Sequence, residues 1–175
     1  MDEESFVLYD KDNLKGCFDL IRVLFVCLGN ICRSPMAEAV LRYLLIKEGL
    51  DGKIEVDSAG TGDWHVGEPP HKGTQKKLEE YKIDYSSIRA RQLNRTDLNH
   101  FHYVIAMDEK NLNDISVIAG KNPSAYIARL MDFVDDKSIV DVPDPYFTGN
   151  FDLTYELVKD GCEQLLDFIR SREKI

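Results

Sequence analysis

At 175 residues, the chain is long enough for one domain with a full core and too short for two ordinary ones; 43% hydrophobic and 30% charged residues are the balance of a soluble globular protein. Acidic residues outnumber basic ones, 31 to 22, and the formal charge of -9 works against holding a phosphate backbone or an anionic membrane surface, so neither nucleic acid nor a membrane is an expected partner. No apolar run reaches the roughly 18 residues that a membrane span needs, and the acidic start MDEESFVLYDKDNLKG is unlike the basic start of a secretory signal.

Residues 1–20 precede the first clear element and are expected to be an N-terminal extension, with one domain over 21–175. The run IRVLFV (21–26) has strand length and composition, and MAEAVLRYLLIKEG (36–49) follows as a helix with Ala39, Val40, Tyr43, Leu44 and Ile46 on one face, closing on Gly49. KIEVDS (53–58) alternates as a second strand, AGTGDWHVGEPP (59–70) is a Gly- and Pro-rich loop, and HKGTQKKLEEYK (71–82) is a polar-faced helix. HYVIAM (102–107) and DEKNLNDISVIAG (108–120) make another strand and helix. A short strand within 126–134, a Pro-rich loop over 141–150 and a helix over 151–170 complete the chain, without internal repeats. Alternating strands and helices imply an α/β fold whose parallel sheet is covered on both faces, with ligands gathering at the carboxyl ends of the strands.

One such end carries VCLGNICRSP, Val26 to Pro35. Ser34 reads as a helix N-cap and Pro35 as the first helical residue, which would aim free backbone N–H groups back at the loop. An anion is welcome at such a helix start. Gly29 and Asn30 both tolerate left-handed backbone angles, so successive amides of Leu28, Gly29, Asn30, Ile31 and Cys32 can converge on one phosphate, and Arg33 adds a planar fork for two of its oxygens. The same field favours the thiolate of Cys27, a nucleophile. Two ordinary core cysteines would be the bland alternative, but Asn, Gly and Arg beside them fit it poorly. No Gly-Lys-Ser/Thr follows for a nucleotide loop, and GTGDWH has His65 where a dinucleotide fingerprint needs glycine. The histidines His65, His71, His100 and His102 make no zinc pattern with the cysteines and read as surface or packing residues, so neither metal nor cofactor is expected. With four cysteines, Cys17, Cys27, Cys32 and Cys162, a disulfide framework is not expected either, which favours the cytosol.

The stretch VCLGNICRSPMAEA resembles the active-site signature of the low-molecular-weight protein tyrosine phosphatases, and the likeness continues through DSAGT, AMDEKN and VPDPYFTG. It implies a three-layer fold with a four-stranded parallel sheet, and metal-free hydrolysis of phosphotyrosine proteins through a phosphocysteine, with phosphate as product. It also implies Asp144 as general acid and then base, whereas Asp-Pro by itself only starts a turn. By the same likeness Trp64, Tyr146 and Phe147 wall the substrate pocket, Ser58 holds Asn30, Ser34 reaches the Cys27 sulfur, and Asp108 braces the loop or simply caps the next helix. Tyr81 stands where many eukaryotic members carry a histidine, which leaves open how Asn30 is held.

Cys32 reads two ways, as a partner that masks Cys27 by reversible oxidation or as a small buried side chain. Ile31 stands where related phosphoarginine phosphatases carry threonine, which favours tyrosine. Thioredoxin-coupled arsenate reductases share the loop but need a further cysteine pair, and no close pair follows Cys32. A catalytically silent phosphotyrosine-binding module is the remaining alternative.

Overall fold

The structure, a computed structural model, describes residues 20–175, so the extension expected over 1–20, Cys17 included, lies outside the described residues apart from Leu20. From there the chain forms β1 (Ile21–Cys27), α1 (Arg33–Glu48), β2 (Ile54–Gly60), α2 (Lys72–Glu80), α3 (Asp97–His100), β3 (Tyr103–Ala106), α4 (Glu109–Ala119), β4 (Tyr126–Arg129), α5 (Pro145–Thr148) and α6 (Phe151–Glu173). A 3-10 turn over Leu130–Phe133 follows β4 directly. The sheet is four-stranded and parallel throughout, in the order β2-β1-β3-β4, with Val23 opposite Val56 on one side and opposite Tyr103 on the other.

Because successive strand residues face opposite sides, the unbroken apolar run of β1 serves two cores. Val23 and Phe25 pack with Leu41 and Leu45 of α1, Leu78 of α2 and Val158 and Leu165 of α6. Leu24 and Val26 pack on the other face with Leu98 of α3 and Ile115 of α4. The fold is therefore three-layered. The chain leaves β1 for β2 on one side and adds β3 on the other, so the carboxyl end of β1 is the switch point of the sheet, where such folds open a crevice.

Three details differ from the sequence expectation. The helix after β1 starts at Arg33, with Cys32 in the N-cap position and no side-chain cap bond, so Ser34 lies inside the helix and not at its cap. Its buried stripe also differs: Tyr43 and Ile46 are exposed, while Met36, Ala37, Leu41 and Leu45 are buried beside Ala39 and Val40. Every residue from Arg33 to Leu41 is buried, because the first half of α1 runs through the core and only the second half reaches solvent with an amphipathic face. Finally, the short helix α5 arises inside the Pro-rich loop expected over 141–150, and α3 arises in a stretch to which the sequence assigned no element.

Candidate active site

Between β1 and α1 the chain turns sharply at Asn30, whose φ of +54° is left-handed, a conformation that asparagine tolerates. Gly29 does not use its freedom in that way: its φ is not positive. Its missing side chain leaves room for His65, whose Cδ2 lies 3.2 Å from where a Cβ would stand. Gly60, at the end of β2, allows a still closer approach. A Cβ there would meet the Leu28 carbonyl oxygen at 2.8 Å and the Asn30 nitrogen at 3.1 Å. The chain beyond Gly60 then holds the loop directly, as Thr61 N donates to Cys27 O and Gly62 N to Leu28 O, both at 2.9 Å.

Side chains complete the bracing. Asn30 Nδ2 donates to Ser34 Oγ at 2.8 Å and to Ser58 Oγ at 2.9 Å, and its Oδ1 accepts from the backbone N–H of Arg91 at 2.9 Å. Ser34 Oγ in turn lies 3.0 Å from Cys27 Sγ. Asn30, Ser34 and Ser58 are all buried. How Asn30 is held is thereby answered without Tyr81, which instead stacks on Tyr155 with ring centroids 4.1 Å apart.

Arg33 is 2% exposed and almost fully engaged. Its Nη1 donates to Asp108 Oδ2 at 2.5 Å and to Val142 O at 3.0 Å, and its Nη2 donates to Asp144 Oδ2 at 3.0 Å. Nε, also buried, has no partner among the described residues. Burial alone would lower the affinity of the guanidinium for its proton, but the Cys27 sulfur, Asp108 and Asp144 outweigh it and hold the group above the usual arginine range. Each carboxylate does two things. Asp108 Oδ1 caps α4 through Asn111 N, and Asp144 Oδ1 caps α5 through Tyr146 N, while the Oδ2 of each faces Arg33. Asp108 thus both caps α4 and pairs with Arg33, and Asp144 both starts the turn of α5 and reaches Arg33.

Cys27, Leu28, Gly29, Ile31, Cys32 and Arg33 line a cavity of about 160 Å³ together with Trp64, His65, Asp144, Tyr146 and Phe147. Its rim is apolar and open: Trp64 is 69% exposed, Tyr146 56% and Phe147 76%. Cys32 packs with Ile31 and Ala90, and burial, reinforced by the Cys27 sulfur and Asp144, pushes its thiol up to about 12. Cys27, Cys32 and Cys162 are unpaired, and no group of potential metal ligands exists among the described residues.

A family model described as low molecular weight phosphotyrosine protein phosphatase matches residues 22–174. The chain belongs to this family. It is 52% identical over 156 residues to low molecular weight protein-tyrosine-phosphatase YfkJ of Bacillus subtilis, covering 89% of this chain and 100% of that protein. The crystal structure of YfkJ superimposes with a TM-score of 0.87, covering 90% of this chain and 99% of that one. A 33% identical structure, described as a drosophila arginine phosphatase, superimposes with a TM-score of 0.79 over 86% of this chain and 98% of that one.

Of the residues given site roles in the sequence of this family member, Cys27, Leu28, Gly29, Ile31, Cys32, Arg33, Trp64, Asp144, Tyr146 and Phe147 line this one crevice, while Asn30, Ser34, Ser58 and Asp108 do not line it but are hydrogen-bonded to one another or to Arg33. Several others went unread. His65 lines the cavity with its Nδ1 2.8 Å from Glu68, although it reads as a surface residue; its place beside Trp64 was the available signal. His71 donates its N–H to Ile31 O and stacks on Phe151, joining the loop to the start of α6. Gly60, Arg91 and Val142 contribute backbone, which leaves no signature in side-chain type.

Proposed function

We propose that this protein-tyrosine phosphatase takes the phosphoryl group of phosphotyrosine proteins onto Cys27, with Arg33 and the amides of Leu28 to Cys32 as cradle and Asp144 as acid and base. The observation that carries the reading is Arg33 Nε, buried without a partner on the edge of a guanidinium whose other nitrogens are held by Asp108, Val142 and Asp144. A phosphate can take the edge made by Nε and Nη2 in a bidentate pair, displacing the Asp144 oxygen from Nη2. Asp144 is then free to carry a proton at the ester oxygen.

In the first step the Cys27 sulfur bonds to phosphorus, the P–O bond to tyrosine breaks, and the Asp144 carboxyl gives its proton to the departing phenolate. In the second, the Asp144 carboxylate takes a proton from water, the oxygen of that water bonds to phosphorus, and the S–P bond breaks to return the thiolate and release phosphate. Ser34, 3.0 Å from the sulfur, is placed to donate to the leaving thiolate. Asp108 and the Val142 carbonyl hold one edge of the buried Arg33 guanidinium, which supports a cradle that needs little reorganisation apart from the release of Asp144 from Nη2. The exposed aromatic rings of Trp64, Tyr146 and Phe147 suit the flat face of a phenyl ring.

Buried and unpaired cysteines support a reducing compartment, the cytosol, and no described helix is long and apolar enough to cross a membrane. The raised Cys32 thiol disfavours it as an attacking thiolate, so reversible masking of Cys27 requires the burial around Cys32 to loosen first. The test is phosphate release from a phosphotyrosine peptide and from phosphoarginine, in reductant and chelator, with Cys27→Ser as control. Release from the peptide that disappears in the variant supports the reading. Preference for phosphoarginine, the substrate class named for the drosophila structure, would overturn the role assigned to Ile31, and release that persists in Cys27→Ser would overturn the nucleophile.

A further inference from the structure

Helix α4 carries more apolar residues than the core takes. Ile115 and Ala119 are buried in the second core and Leu112 and Ile118 pack against it, whereas Val117 is 82% exposed. Lys110, Asp114, Val117 and Ile118 stand at helical positions i, i+4, i+7 and i+8, so they share one face. With Leu28 and with Thr61, Gly62 and Trp64 of the loop after β2, that face lines a groove of about 310 Å³.

Leu28 and Trp64 also line the phosphate crevice, so groove and crevice adjoin across these two residues. The shared wall is backed by main chain. A Cβ on Gly62 would overlap the six-membered ring of Trp64, so the indole lies directly on that glycine, and Gly62 N donates to Leu28 O at 2.9 Å. The groove offers no unpaired charge: Lys110 Nζ and Asp114 Oδ2 are 3.0 Å apart and satisfy each other. A charged guest would lose water without gaining a partner, whereas an apolar one removes Val117 and the outer side of Trp64 from water.

The occupant follows from what the crevice holds. With a phosphotyrosine ring against Trp64, the peptide on either side of it leaves across the rim, and an extended chain advances about 3.3 Å per residue. A near neighbour in the peptide therefore comes over the far side of Trp64. The surface beyond Asp144 is unlike the groove, since Glu109 and Asp141 make it acidic. We propose that the groove between Trp64 and α4 is a substrate subsite that takes a large apolar side chain, leucine or phenylalanine, flanking the phosphotyrosine, with Val117 as the residue that selects it. This rests on the phosphotyrosine reading of the crevice.

The test uses phosphotyrosine peptides in which Leu, Ser or Glu occupies each flanking position in turn, with wild type and Val117→Lys. Val117 is exposed, so the substitution leaves the core intact. At one flanking position Leu is expected to raise kcat/KM over Ser by about tenfold, through KM, as burial of one apolar side chain in an open groove can supply. Val117→Lys should lose that gain and prefer Glu at the same position, a reversal that damaged folding would not produce. Its turnover of an aryl phosphate, which has no flanking residue, should match wild type.

Leu no better than Ser at every position, or a Leu gain that survives in Val117→Lys, overturns the proposal. So does aryl phosphate turnover that falls as far as peptide turnover. Binding of the same peptides to Cys27→Ser, read from the fluorescence of Trp64, the one tryptophan of the chain, separates the two readings. Leu peptides that bind about tenfold tighter than Ser peptides, while wild type releases no phosphate, would break the phosphatase reading and leave the groove standing. Phosphate release with no Leu preference would do the reverse.

Discussion

The floor and the rim of the crevice are built on opposite plans. At the floor, Cys27, Asn30, Arg33 and Ser34 are each at most 3% exposed and held by short hydrogen bonds; at the rim, Trp64, Tyr146 and Phe147 are more than half exposed, Tyr146 meeting the rings of His71 and Phe147 and Trp64 lying over Gly62. Chemistry that depends on sub-ångström placement calls for groups that packing and hydrogen bonds over-determine, whereas recognition of varied protein surfaces is served by side chains free to adapt. Asp144 lies between the two regions, capping α5 at the rim and reaching Arg33 at the floor.

Substitutions can break or sharpen that contrast. The largest effect is expected for Asp144→Asn, a loss of about 10² to 10⁴ in turnover on phosphotyrosine peptide that shrinks on an aryl phosphate with a more acidic leaving group. Equal loss on both substrates would remove Asp144 from the acid role. Gly60→Ala is next: the added Cβ meets backbone at Leu28 and Asn30, so displacement of the floor should cost up to about 10² in turnover and about 1–3 kcal/mol in stability, read by kinetics and thermal melting.

Glu38 supplies a pH test of how the floor is built. Its pKa rises on folding from the usual carboxylate range to about 7, so the folded protein binds the extra proton. The corresponding stability is present at pH 4 and is lost as pH rises through 7, by at most about 3 kcal/mol. Glu38→Gln should therefore flatten the pH dependence of chemical denaturation midpoints between pH 5 and 8; an unchanged slope would count against a carboxylate held at this cost.

Effects at the rim are smaller. Trp64→Ala should raise KM for phosphotyrosine peptides by up to about tenfold with kcat retained, and change stability by less than about 0.5 kcal/mol. Loss of kcat instead would place Trp64 with the floor. The smallest effect expected is a few-fold preference at low salt for peptides with Lys or Arg next to phosphotyrosine, from the charge of -9 and from Glu109 and Asp141 beside Asp144. Equal rates on acidic and basic peptides would remove it, and added salt should erase it.

The sequence by itself determined the order of strands and helices, the loop between Cys27 and Arg33 and the residues with reactive side chains, because hydrophobic period and side-chain chemistry are local properties. It could present Asp108 and Asp144 as either caps or site residues, but not as both, because a second oxygen on one carboxylate acquires its partner only when distant segments meet. Ser34 reads as an N-cap but lies inside the helix, where its hydroxyl meets Asn30 and Cys27 from across the turn, contacts that helix-cap residue preferences do not contain. Tertiary structure alone decided the unpartnered Arg33 Nε, the backbone contributions of Gly60, Arg91 and Val142, and the burial of Glu38, since burial and backbone approach are sums over elements far apart in the chain.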